Sequence, residues 1–232
     1  MNDPAIPWPV GFRINARPTR IDDDLIEAFK GVAAAHVSDC LGRIVGTSIL
    51  RAYHGGGRMC GRALTVRVRP GDNLMIHKAL EMAEAGDVLV IDGGGDTSQA
   101  LLGELMRATA ITKGLAGVVI DGAIRDVSAF TDGKLPCFAR GHTHRGPSKD
   151  GPGEINVPIA CAGLAVAPGD LVIGDEDGVV AVNPAGLHDL LAQVRAHAAK
   201  EERAMQTILA GKTDPERINA ILRNKGVPPS AL

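Results

Sequence analysis

An arginine and an aspartate stand side by side at positions 125 and 126, shortly after the apolar segment Val118–Ile120. The guanidinium of Arg125 can hold a carboxylate through two parallel hydrogen bonds, and the carboxylate of Asp126 can bind a hard cation. The pair also has an ordinary structural interpretation. An aspartate at the start of a helix stabilises the helix dipole, and the neighbouring arginine can simply lie on the surface. Glu104 follows Gly103 and is separated from Arg125 by twenty residues, and this acidic residue favours the chemical interpretation.

A glycine triplet, Gly93–Gly95, follows a second apolar segment, Val88–Ile91. Glycine backbone can approach a ligand closely, and a helix that starts just beyond the triplet would aim free N–H groups at an anion. A tight turn between a strand and a helix explains the same residues. Because neither a G-x-G-x-x-G pattern nor a P-loop lysine is present, the triplet alone is a weak signal for anion binding.

The elements that position these loops follow a strand, helix, strand order. Both apolar segments are typical of buried strands, and the residues up to about Lys113 are helix-like, with Asp96 or Thr97 as the cap. This order implies a parallel, right-handed crossover, and ligands bind beyond the carboxyl ends of parallel strands. We therefore expect the loops after Ile91 and Ile120 to lie side by side and to form the site.

The remaining segments predict further helices and strands. The predicted helices begin at Ile21, at a cap formed by Ser38, and at Asp72, the last of these running to Ala85, with a helical turn near 127–130. The predicted strands are Ser48–Tyr53, Ala63–Val68, Cys137–Arg140, Val157–Ala167 and Leu171–Val182. Alternation within 63–68 indicates a strand exposed on one face, and residues 175–178 predict a hairpin turn rather than a calcium loop.

Length and composition predict one main domain with an extension at each end. The chain has 232 residues, within the usual range for a single domain. Residues 1–19 contain four prolines and predict an extended arm rather than an element of its own. Residues 20–183 are the expected main domain, and residues 184–232 a long closing helix, capped by Asn183, and a tail. The far end of this helix is strongly charged, and we expect it to cross a subunit boundary in an oligomer.

The composition argues against several classes of protein. The 25 Lys and Arg against 27 Asp and Glu, with one Trp, one Tyr and four Phe, offer no basic stripe or stacking surface for nucleic acid. The longest uncharged apolar stretch, Val157–Gly169, has 13 residues, whereas a membrane span needs about 20. Four separated cysteines predict neither disulfides nor a zinc site. Since the N-terminus lacks a secretory pattern, we expect a cytoplasmic protein.

Three stretches resemble the RraA-like superfamily, in particular its metal-dependent aldolases for 4-hydroxy-4-methyl-2-oxoglutarate and 4-carboxy-4-hydroxy-2-oxoadipate. They are VLVIDGGG, GELMRATAITKGLAGVVIDGAIRD and GEINVPIACAGLAVAPGDLVIGDEDGVVAV. The most specific part is an acidic residue, twenty residues and then Arg-Asp, here Glu104 and Arg125-Asp126, although the family often has Asp first. The resemblance covers about Ser38 to Val182. It implies an α/β fold of the swivelling β/β/α type, with a central mixed sheet or barrel, flanking helices, a long C-terminal helix, and a homotrimer or homohexamer.

The resemblance also implies a metal site. Asp126 would be the direct protein ligand of a divalent cation, Mg2+ or alternatively Mn2+ or another divalent ion, with water filling most of the shell. Glu104 would hold one of those waters from outside the shell, and this water is the candidate base that removes the C4 hydroxyl proton. An acidic residue of a neighbouring subunit could also line the site, and Glu201 is the candidate, although a solvated helix face is the ordinary explanation for it.

The substrate residues implied by the resemblance lie at Gly103–Met106 and Arg125. The N–H groups of Leu105 and Met106 would bind the carboxylate of a 2-oxo acid, which requires the helix to begin near Gly103. Arg125 would contact the ketone oxygen and the developing enolate. The implied reaction cleaves a 4-hydroxy-4-carboxy-2-oxo acid to pyruvate and a second oxo acid, with oxaloacetate decarboxylation as a side activity through the same enolate.

Two other functions stay open. Some superfamily members inhibit a ribonuclease by protein contact without catalysis, and the intact set of Glu104, Arg125 and Asp126 argues against that role here. A methyltransferase is weaker still, because no acidic residue ends a following strand where an adenosine ribose would need one. The loop from Ala139 to Asn156 is expected to shape the pocket and so to select the substrate.

Overall fold

The computed structural model describes residues 8–212 and 215–229, which divide into two compact units, the first ending at Val194 and the second beginning at Arg195. The strands of the first unit are β1 (Phe12–Ile14), β2 (Arg51–Ala52), β3 (Met59–Val68), β4 (Asp87–Asp92), β5 (Ala100–Leu102), β6 (Gly117–Ile124), β7 (Cys137–His142), β8 (Gly153–Ile155), β9 (Ile159–Cys161), β10 (Leu164–Val166), β11 (Leu171–Asp175) and β12 (Gly178–Val182). Its helices are α1 (Asp23–Phe29), α2 (Ala34–Cys40), α3 (Leu74–Met82), α4 (Glu104–Thr112), a 3-10 helix at Val127–Asp132 and the first part of α5 (Leu187–Leu209). The second unit contains the rest of α5 and α6 (Pro215–Asn224).

Ten of these strands form one mixed sheet with the main order β1-β8-β3-β4-β6-β7-β2, while β9 and β10 form a separate hairpin. Strands β3, β4, β6 and β7 are parallel neighbours, and α4 lies in the connection from β4 to β6. The predicted strand, helix, strand order with parallel strands is therefore confirmed, as is the α/β fold with a central mixed sheet, flanking helices and a long C-terminal helix. The loop after β4 meets β6 at the carboxyl edge, where Gly95 N–H donates to Asp121 O at 3.1 Å.

The central strands are buried on both faces because the sheet separates two hydrophobic cores. In β4, Leu89 and Ile91 belong to a core that includes α3 and α4, whereas Val88 and Val90 belong to a core that includes the β9-β10 hairpin. Alternate residues of a strand point to opposite faces, so a strand between two cores must be apolar throughout. This is why the uninterrupted apolar segment 88–91 predicts its burial correctly.

The prediction that residues 63–68 are exposed on one face is wrong for most of their length. Strand β3 begins at Met59, and Thr65 is fully buried, where its hydroxyl donates to Val157 O at 2.7 Å. Only Arg67 is exposed within the strand. A threonine can be buried once its hydroxyl has an acceptor, so its polarity does not identify a solvent face.

The N-terminal arm is more than an extended segment, which corrects the prediction for residues 1–19. Residues 1–7 lie outside the described part of the chain. Residues 12–14 form β1, which adds to the sheet edge as a parallel partner of β8. Arg17 then makes hydrogen bonds of 2.7 and 2.8 Å to the two carboxylate oxygens of Asp87, whose side chain is fully buried at the start of β4.

Tertiary pairing moves several predicted boundaries. Strand β6 continues through Asp121 and Gly122 to Ile124, because β5 and β7 pair with its last residues. The predicted strand Ser48–Tyr53 shortens to the two residues of β2, and Ser38 lies inside α2 rather than capping it. The predicted hairpin is confirmed, since β11 and β12 pair antiparallel around residues 175–178.

The closing helix begins at Leu187, three residues after the predicted Pro184. Asn183 Oδ1 accepts the N–H of Ala185 at 2.9 Å and so closes a turn before the helix. The 23 residues of α5 span about 35 Å at about 1.5 Å per residue. Helix α6 was not predicted, and none of its described side chains is buried. Among the described residues, no helix is long and apolar enough to span a bilayer.

Replacing Arg17 by alanine tests the anchor of the N-terminal segment. Arg17→Ala should lower the free energy of unfolding by about 2–3 kcal/mol, because it leaves the buried Asp87 carboxylate without its bidentate partner. Arg20→Ala is the matched control, since Arg20 is mostly exposed and pairs with Glu84 at 3.5 Å, and it should cost under about 1 kcal/mol. Urea denaturation measures both, and equal losses would contradict the assignment.

Candidate active site

Helix α4 begins at the residues of the predicted motif. Strand β5 leads into Gly103, which is the N-cap, and Glu104 is the first helical residue. The helix start that the resemblance implies is therefore confirmed, and the start at Asp96 or Thr97 is wrong. Asp96 instead accepts hydrogen bonds from the N–H and the hydroxyl of Ser98, a local turn that competes with helix formation.

Asp126 caps this helix from the end of β6. Its Oδ2 accepts the backbone N–H of Glu104 at 2.9 Å, one of the donors that a helix start leaves unpaired. Asp126 has left-handed backbone angles, φ 58° and ψ 43°, a conformation that costs a residue with a Cβ about 1–2 kcal/mol. A hydrogen bond to a charged group contributes about 1.5–3 kcal/mol. The capping bond is thus large enough to hold Asp126 in this conformation.

Gly103 provides the space in which Arg125 and Asp126 lie against α4. A Cβ at this position would lie 2.6 Å from Asp126 Oδ2, 2.9 Å from Arg125 Cγ and 3.0 Å from Arg125 Nε. The Gly103 backbone is in an ordinary extended conformation, so the close approach, not conformational freedom, requires glycine. Arg125 is also held by its own N–H, which donates to Leu102 O at 3.0 Å.

The side chains of Arg125 and Asp126 form an open ion pair. Arg125 Nε lies 3.6 Å from Asp126 Oδ2, and each side chain is 43% exposed. An exposed pair contributes about 0–1 kcal/mol, so this contact is not what fixes the geometry. Asp126 Oδ1 accepts no hydrogen bond from any described residue, which leaves this oxygen for a cation or water.

Two further N–H groups at the start of α4 are available to a ligand. The N–H groups of Leu105 and Met106 have no hydrogen-bond partner among the described residues, as the first turn of a helix requires. The side chain of Leu105 is exposed, whereas that of Met106 is buried in the core with α3. With the positive end of the helix dipole, these N–H groups can bind a carboxylate.

A cavity of about 200 Å³ opens beside this helix start. Its lining combines the motif with α3 and with the loop after β7: Asn73, His77, Ala100, Leu101, Leu102, Gly103, Leu105, Met106, Arg125, Pro147 and Lys149. The lining contains Arg125 and Lys149 but no Asp or Glu. The cavity therefore favours a small anionic ligand.

A buried carboxylate fixes the loop that carries Lys149. Asp72 Oδ2 accepts hydrogen bonds from Ser148 Oγ at 2.8 Å, from Asp150 N at 2.7 Å and from Gly151 N at 3.1 Å. Residues on both sides of Lys149 are thus tied to one oxygen atom. These bonds and the burial of Asp72 hold the backbone of the loop where it lines the cavity.

The charge of Asp72 depends on these bonds. Burial raises the pKa of Asp72, but the hydrogen bonds that its carboxylate accepts from the loop and from Leu74 N–H outweigh burial, so the pKa lies below its usual value. The N-cap of α3 is Asn73 rather than the predicted Asp72, although Asp72 Oδ1 accepts the N–H of Leu74, the first helical residue, at 3.0 Å. The helix ends at Met82 rather than at the predicted Ala85.

Two polar residues of α3 and its start were not among the predicted site residues. Asn73 is almost fully buried; its Nδ2 donates to Leu101 O at 3.1 Å and contacts Met106 Sδ at 3.3 Å, while its Oδ1 has no partner. Partial burial and the nearby charge of Lys149 lower the pKa of His77. The one sequence signal for this side of the cavity is the Gly- and Pro-rich segment 139–156, whose expected contact with the pocket is confirmed by Pro147 and Lys149.

The glycine triplet packs against the sheet edge rather than starting a helix. The residues that follow it, 96–103, contain a local turn and β5, so the expected helix N-terminus beyond the triplet is wrong. A Cβ at Gly93 would lie 2.5 Å from Leu101 Cδ1 and 2.8 Å from Asp121 O. Close packing of β5 over β6 therefore explains this glycine.

Glu201 lies in the second unit, on α5. Its Oε1 is 3.2 Å from Nε2 of His197, one turn earlier on the helix, and its side chain is more than half exposed. Its role at the site of a neighbouring subunit stays a prediction.

A family model described as RraA-like, Aldolase/RraA, matches residues 34–181. The chain belongs to this family. A Halalkalibacterium halodurans relative, named provisionally as a 4-hydroxy-4-methyl-2-oxoglutarate aldolase, is 38% identical over 80% of this chain and 89% of its own. A 4-hydroxy-4-methyl-2-oxoglutarate aldolase of Thermus thermophilus is 39% identical over 57% of this chain and 80% of its own.

The solved structures that resemble this chain include an RNA-processing inhibitor. The RNA-processing inhibitor RraA of Thermus thermophilus has a TM-score of 0.60 and 34% identity, covering 65% of this chain and 92% of that one. An uncharacterized protein of Pseudomonas syringae has a TM-score of 0.75 and 26% identity, covering 84% of this chain and 97% of that one. Relatives named as aldolases and a structure named as an inhibitor thus both resemble this chain, and the residues of the site must distinguish between the two functions.

Replacing Gly103 by alanine tests whether this glycine holds the motif together. The added methyl would displace Asp126 and Arg125, and Gly103→Ala should reduce kcat/KM of the reaction proposed below about 100-fold, since a shift of about 1 Å at a site has that effect. Gly141→Ala is the control, because the nearest contact of its Cβ would be a Thr97 methyl group at 3.2 Å. Activity losses of the same size in both variants would contradict the assignment.

The lowered pKa of Asp72 predicts a specific dependence of stability on pH. The stabilisation should be complete above the unfolded pKa of about 3.9 and should be lost as the pH falls through the lower folded pKa, because protonation removes the charged acceptor. Asp72→Asn should lower the free energy of unfolding by about 2–3 kcal/mol at pH 7. Below pH 5, the free energy of unfolding of this variant should depend less on pH than that of the wild type. Urea unfolding across pH 3–7 measures this, with the largely exposed Asp150→Asn as the control. Parallel curves for wild type and Asp72→Asn would refute it.

Proposed function

We propose that this protein is a divalent-metal-dependent lyase that releases pyruvate from a 4-hydroxy-4-carboxy-2-oxo acid, such as 4-hydroxy-4-methyl-2-oxoglutarate or 4-carboxy-4-hydroxy-2-oxoadipate. The observation that carries this is that Arg125 and the start of α4 line one cavity, while Asp126 lies directly beside both of them. A carboxylate, a guanidinium and free helix N–H groups are the groups that such a cleavage needs. The aldolase names of the relatives support the same reaction class.

The donor set at Asp126 fits a hard divalent cation. One carboxylate oxygen is occupied by the Glu104 N–H, while the other is free among the described residues, and the side chain is 43% exposed. Magnesium takes one or two carboxylates and keeps several waters, and manganese accepts similar oxygen ligands. When bound there, such an ion would supply Lewis-acid stabilisation of the negative charge that forms during cleavage.

The start of α4 would bind and orient the substrate. The N–H groups of Leu105 and Met106 can receive the carboxylate next to the ketone, which places the ketone oxygen toward Arg125. Cleavage of the C3–C4 bond leaves an electron pair on C3, and it is delocalised onto the C2 oxygen as an enolate. The guanidinium of Arg125 would donate hydrogen bonds to that oxygen as its charge develops, so the stabilisation is strongest in the transition state.

Glu104 would control the proton of the substrate's C4 hydroxyl. Its backbone is fixed by the bond to Asp126, and its exposed residue position lies on the first turn of α4 between Gly103 and Leu105, which line the cavity. A carboxylate there can orient a water that accepts the hydroxyl proton as the C4 carbonyl forms, and the same water can then return a proton to C3 of the enolate, which gives pyruvate. Decarboxylation of oxaloacetate passes through the same enolate and needs no proton from C4, so we propose it as a second activity.

The alternative function is a binding protein that acts on RNA processing by contact. The similarity to the RNA-processing inhibitor RraA favours this candidate, and an exposed Leu105 beside the motif could belong to a contact surface. Binding to another protein by surface contact would not require the free oxygen of Asp126 or the cationic cavity. We further propose that the protein works in the cytoplasm as a homotrimer or homohexamer, in which Glu201 of one subunit lines the site of the next.

Metal-dependent release of pyruvate is the direct test. The wild-type protein should cleave 4-hydroxy-4-methyl-2-oxoglutarate with Mg2+ or Mn2+ and should lose turnover in the presence of a chelator. Asp126→Asn should reduce turnover about 1,000-fold and abolish the thermal stabilisation by Mn2+, while Arg125→Lys should reduce kcat about 100-fold with metal binding unchanged. Asp24→Asn, on the exposed face of α1, is the control. Absence of metal-dependent turnover on every 4-hydroxy-2-oxo acid and on oxaloacetate would favour the binding protein.

A further inference from the structure

We propose that Arg107 is a positioning residue for Asp126. It ties the far end of the 3-10 helix at Val127–Asp132 to α4, the same helix whose start Asp126 caps. Arg107 is not among the described residues that line the cavity, so its effect on the site passes through the backbone from Asp132 to Asp126. The consequence for metal binding rests on the proposed function, in which Asp126 is the ligand of the cation.

Arg107 is a charged residue in a buried position of α4. It is 7% exposed, and its guanidinium lies against the ring of Phe130, with 5.5 Å between Cζ and the ring centroid. Its Nη2 donates a hydrogen bond to Oδ1 of Asp132, the last residue of the 3-10 helix. Its Nε is buried and has no hydrogen-bond partner among the described residues. The guanidinium is therefore placed to meet the 3-10 helix, at the cost of one unsatisfied donor of its own.

Packing alone does not require an ion pair at this position. Taking a charge out of water costs free energy, and apolar side chains of similar volume often stabilise a core at least as well as a buried ion pair does. Apolar contacts have little directionality, whereas a guanidinium bound to a carboxylate fixes both the separation and the orientation of two elements. The pair of Arg107 and Asp132 therefore determines how the 3-10 helix lies on α4.

The 3-10 helix lies between two residues with left-handed backbone angles. Asp126 precedes it with φ 58°, and Gly133 follows it with φ 71°. The N–H of Ala129 donates to Asp126 O at 2.9 Å, so the helix and Asp126 move together. A rotation of the Asp126 backbone would swing the helix away from α4 and withdraw the carboxylate from the start of α4. Arg107 opposes this rotation at the opposite end of the helix.

This second contact matters because the first one holds Asp126 by a narrow margin. The capping bond from the Glu104 N–H and the cost of the left-handed conformation are of similar size. The Asp126 side chain is 43% exposed, so water competes for the same hydrogen bond. With Asp132 bound to Arg107, about one turn after Glu104 on α4, Asp126 cannot relax without breaking both contacts. The ligand is thus held in place before any cation binds.

Amide hydrogen exchange tests the positioning in the metal-free protein. The N–H of Glu104 reports directly on its bond to Asp126, and NMR resolves its exchange rate. Arg107→Met keeps an unbranched side chain with a similar helix propensity but removes the charge. It should speed exchange at Glu104 about tenfold, while the amide of Ala110, in the middle of α4, keeps its rate. Arg107→Lys retains the charge and should keep most of the protection.

Lys134→Met is the matched control for this experiment. Lys134 Nζ lies 3.4 Å from the carboxylate of Asp132, and its side chain is 69% exposed. This variant removes a positive partner from the same carboxylate without touching the contact to α4. Exchange at Glu104 should therefore stay at the wild-type rate.

Mn2+ affinity separates positioning from a general loss of stability. Arg107→Met should weaken Mn2+ binding about tenfold, measured by electron paramagnetic resonance of the free ion, the low end of the range for residues that support a metal ligand. Asp132→Ala removes the same contact but leaves the buried guanidinium unpaired. The double variant leaves no unpaired buried charge, so its melting temperature should recover, yet it should bind Mn2+ as weakly as Arg107→Met. A merely structural role predicts recovery of both, and the double variant carries the test if a single variant does not fold.

Three results would overturn the inference. Unchanged exchange at Glu104 in Arg107→Met would show that Asp126 keeps its place without Arg107. Recovery of Mn2+ affinity in the double variant would reduce the ion pair to a structural contact. An equal effect of Lys134→Met would assign the role to the charge of Asp132 rather than to its tie with α4. The proposed function fails separately, because the exchange rate at Glu104 decides on Arg107 even in a protein that binds no Mn2+ and releases no pyruvate.

Discussion

One hydrogen bond, from the backbone N–H of Glu104 to the carboxylate of Asp126, organises the candidate site. It joins the start of α4 to the end of β6, two points that are far apart along the chain but lie on the same edge of the sheet. The bond requires the left-handed backbone of Asp126 and the missing side chain at Gly103. It also leaves the other carboxylate oxygen without a hydrogen-bond partner among the described residues, and Arg125 lines the same cavity as the residues that carry the free N–H groups.

The fixed spacing of this motif follows from the path of the chain. Helix α4 runs away from the carboxyl edge for nine residues, a turn follows, and β6 returns through eight residues to the same edge. Twenty residues between Glu104 and Arg125 are what this return path needs. A spacing in the sequence therefore predicts a contact in space, provided that both elements are placed correctly. Capping rules alone placed the helix start too early, because Asp96 forms a local turn with Ser98 instead.

The parts of the fold that could be predicted are those in which a local pattern of residues is compatible with only one structural environment. The apolar run 88–91 is buried on both faces because the sheet lies between two cores. The prediction fails where a distant partner decides the outcome: Thr65 is buried because Val157 O accepts its hydroxyl, and β6 extends past Gly122 because β5 and β7 pair with it. The same limit applies to the site, since the loop that carries Lys149 is held at the cavity by hydrogen bonds to Asp72, a residue more than 70 positions earlier in the chain.

Exposure to water determines how strongly the charged groups of this site interact with each other and with a ligand. With each side chain 43% exposed, the attraction between Arg125 and Asp126 is screened, and a developing enolate would gain little from Arg125 in bulk water. A substrate that fills the cavity displaces part of that water, and a neighbouring subunit over the carboxyl edge would displace more. Each loss of water strengthens the interaction of Arg125 with the enolate oxygen more than its interaction with the neutral ketone. The proposed oligomer and the proposed catalysis are therefore linked, because a site open to water in one chain becomes effective when a ligand and a second chain cover it.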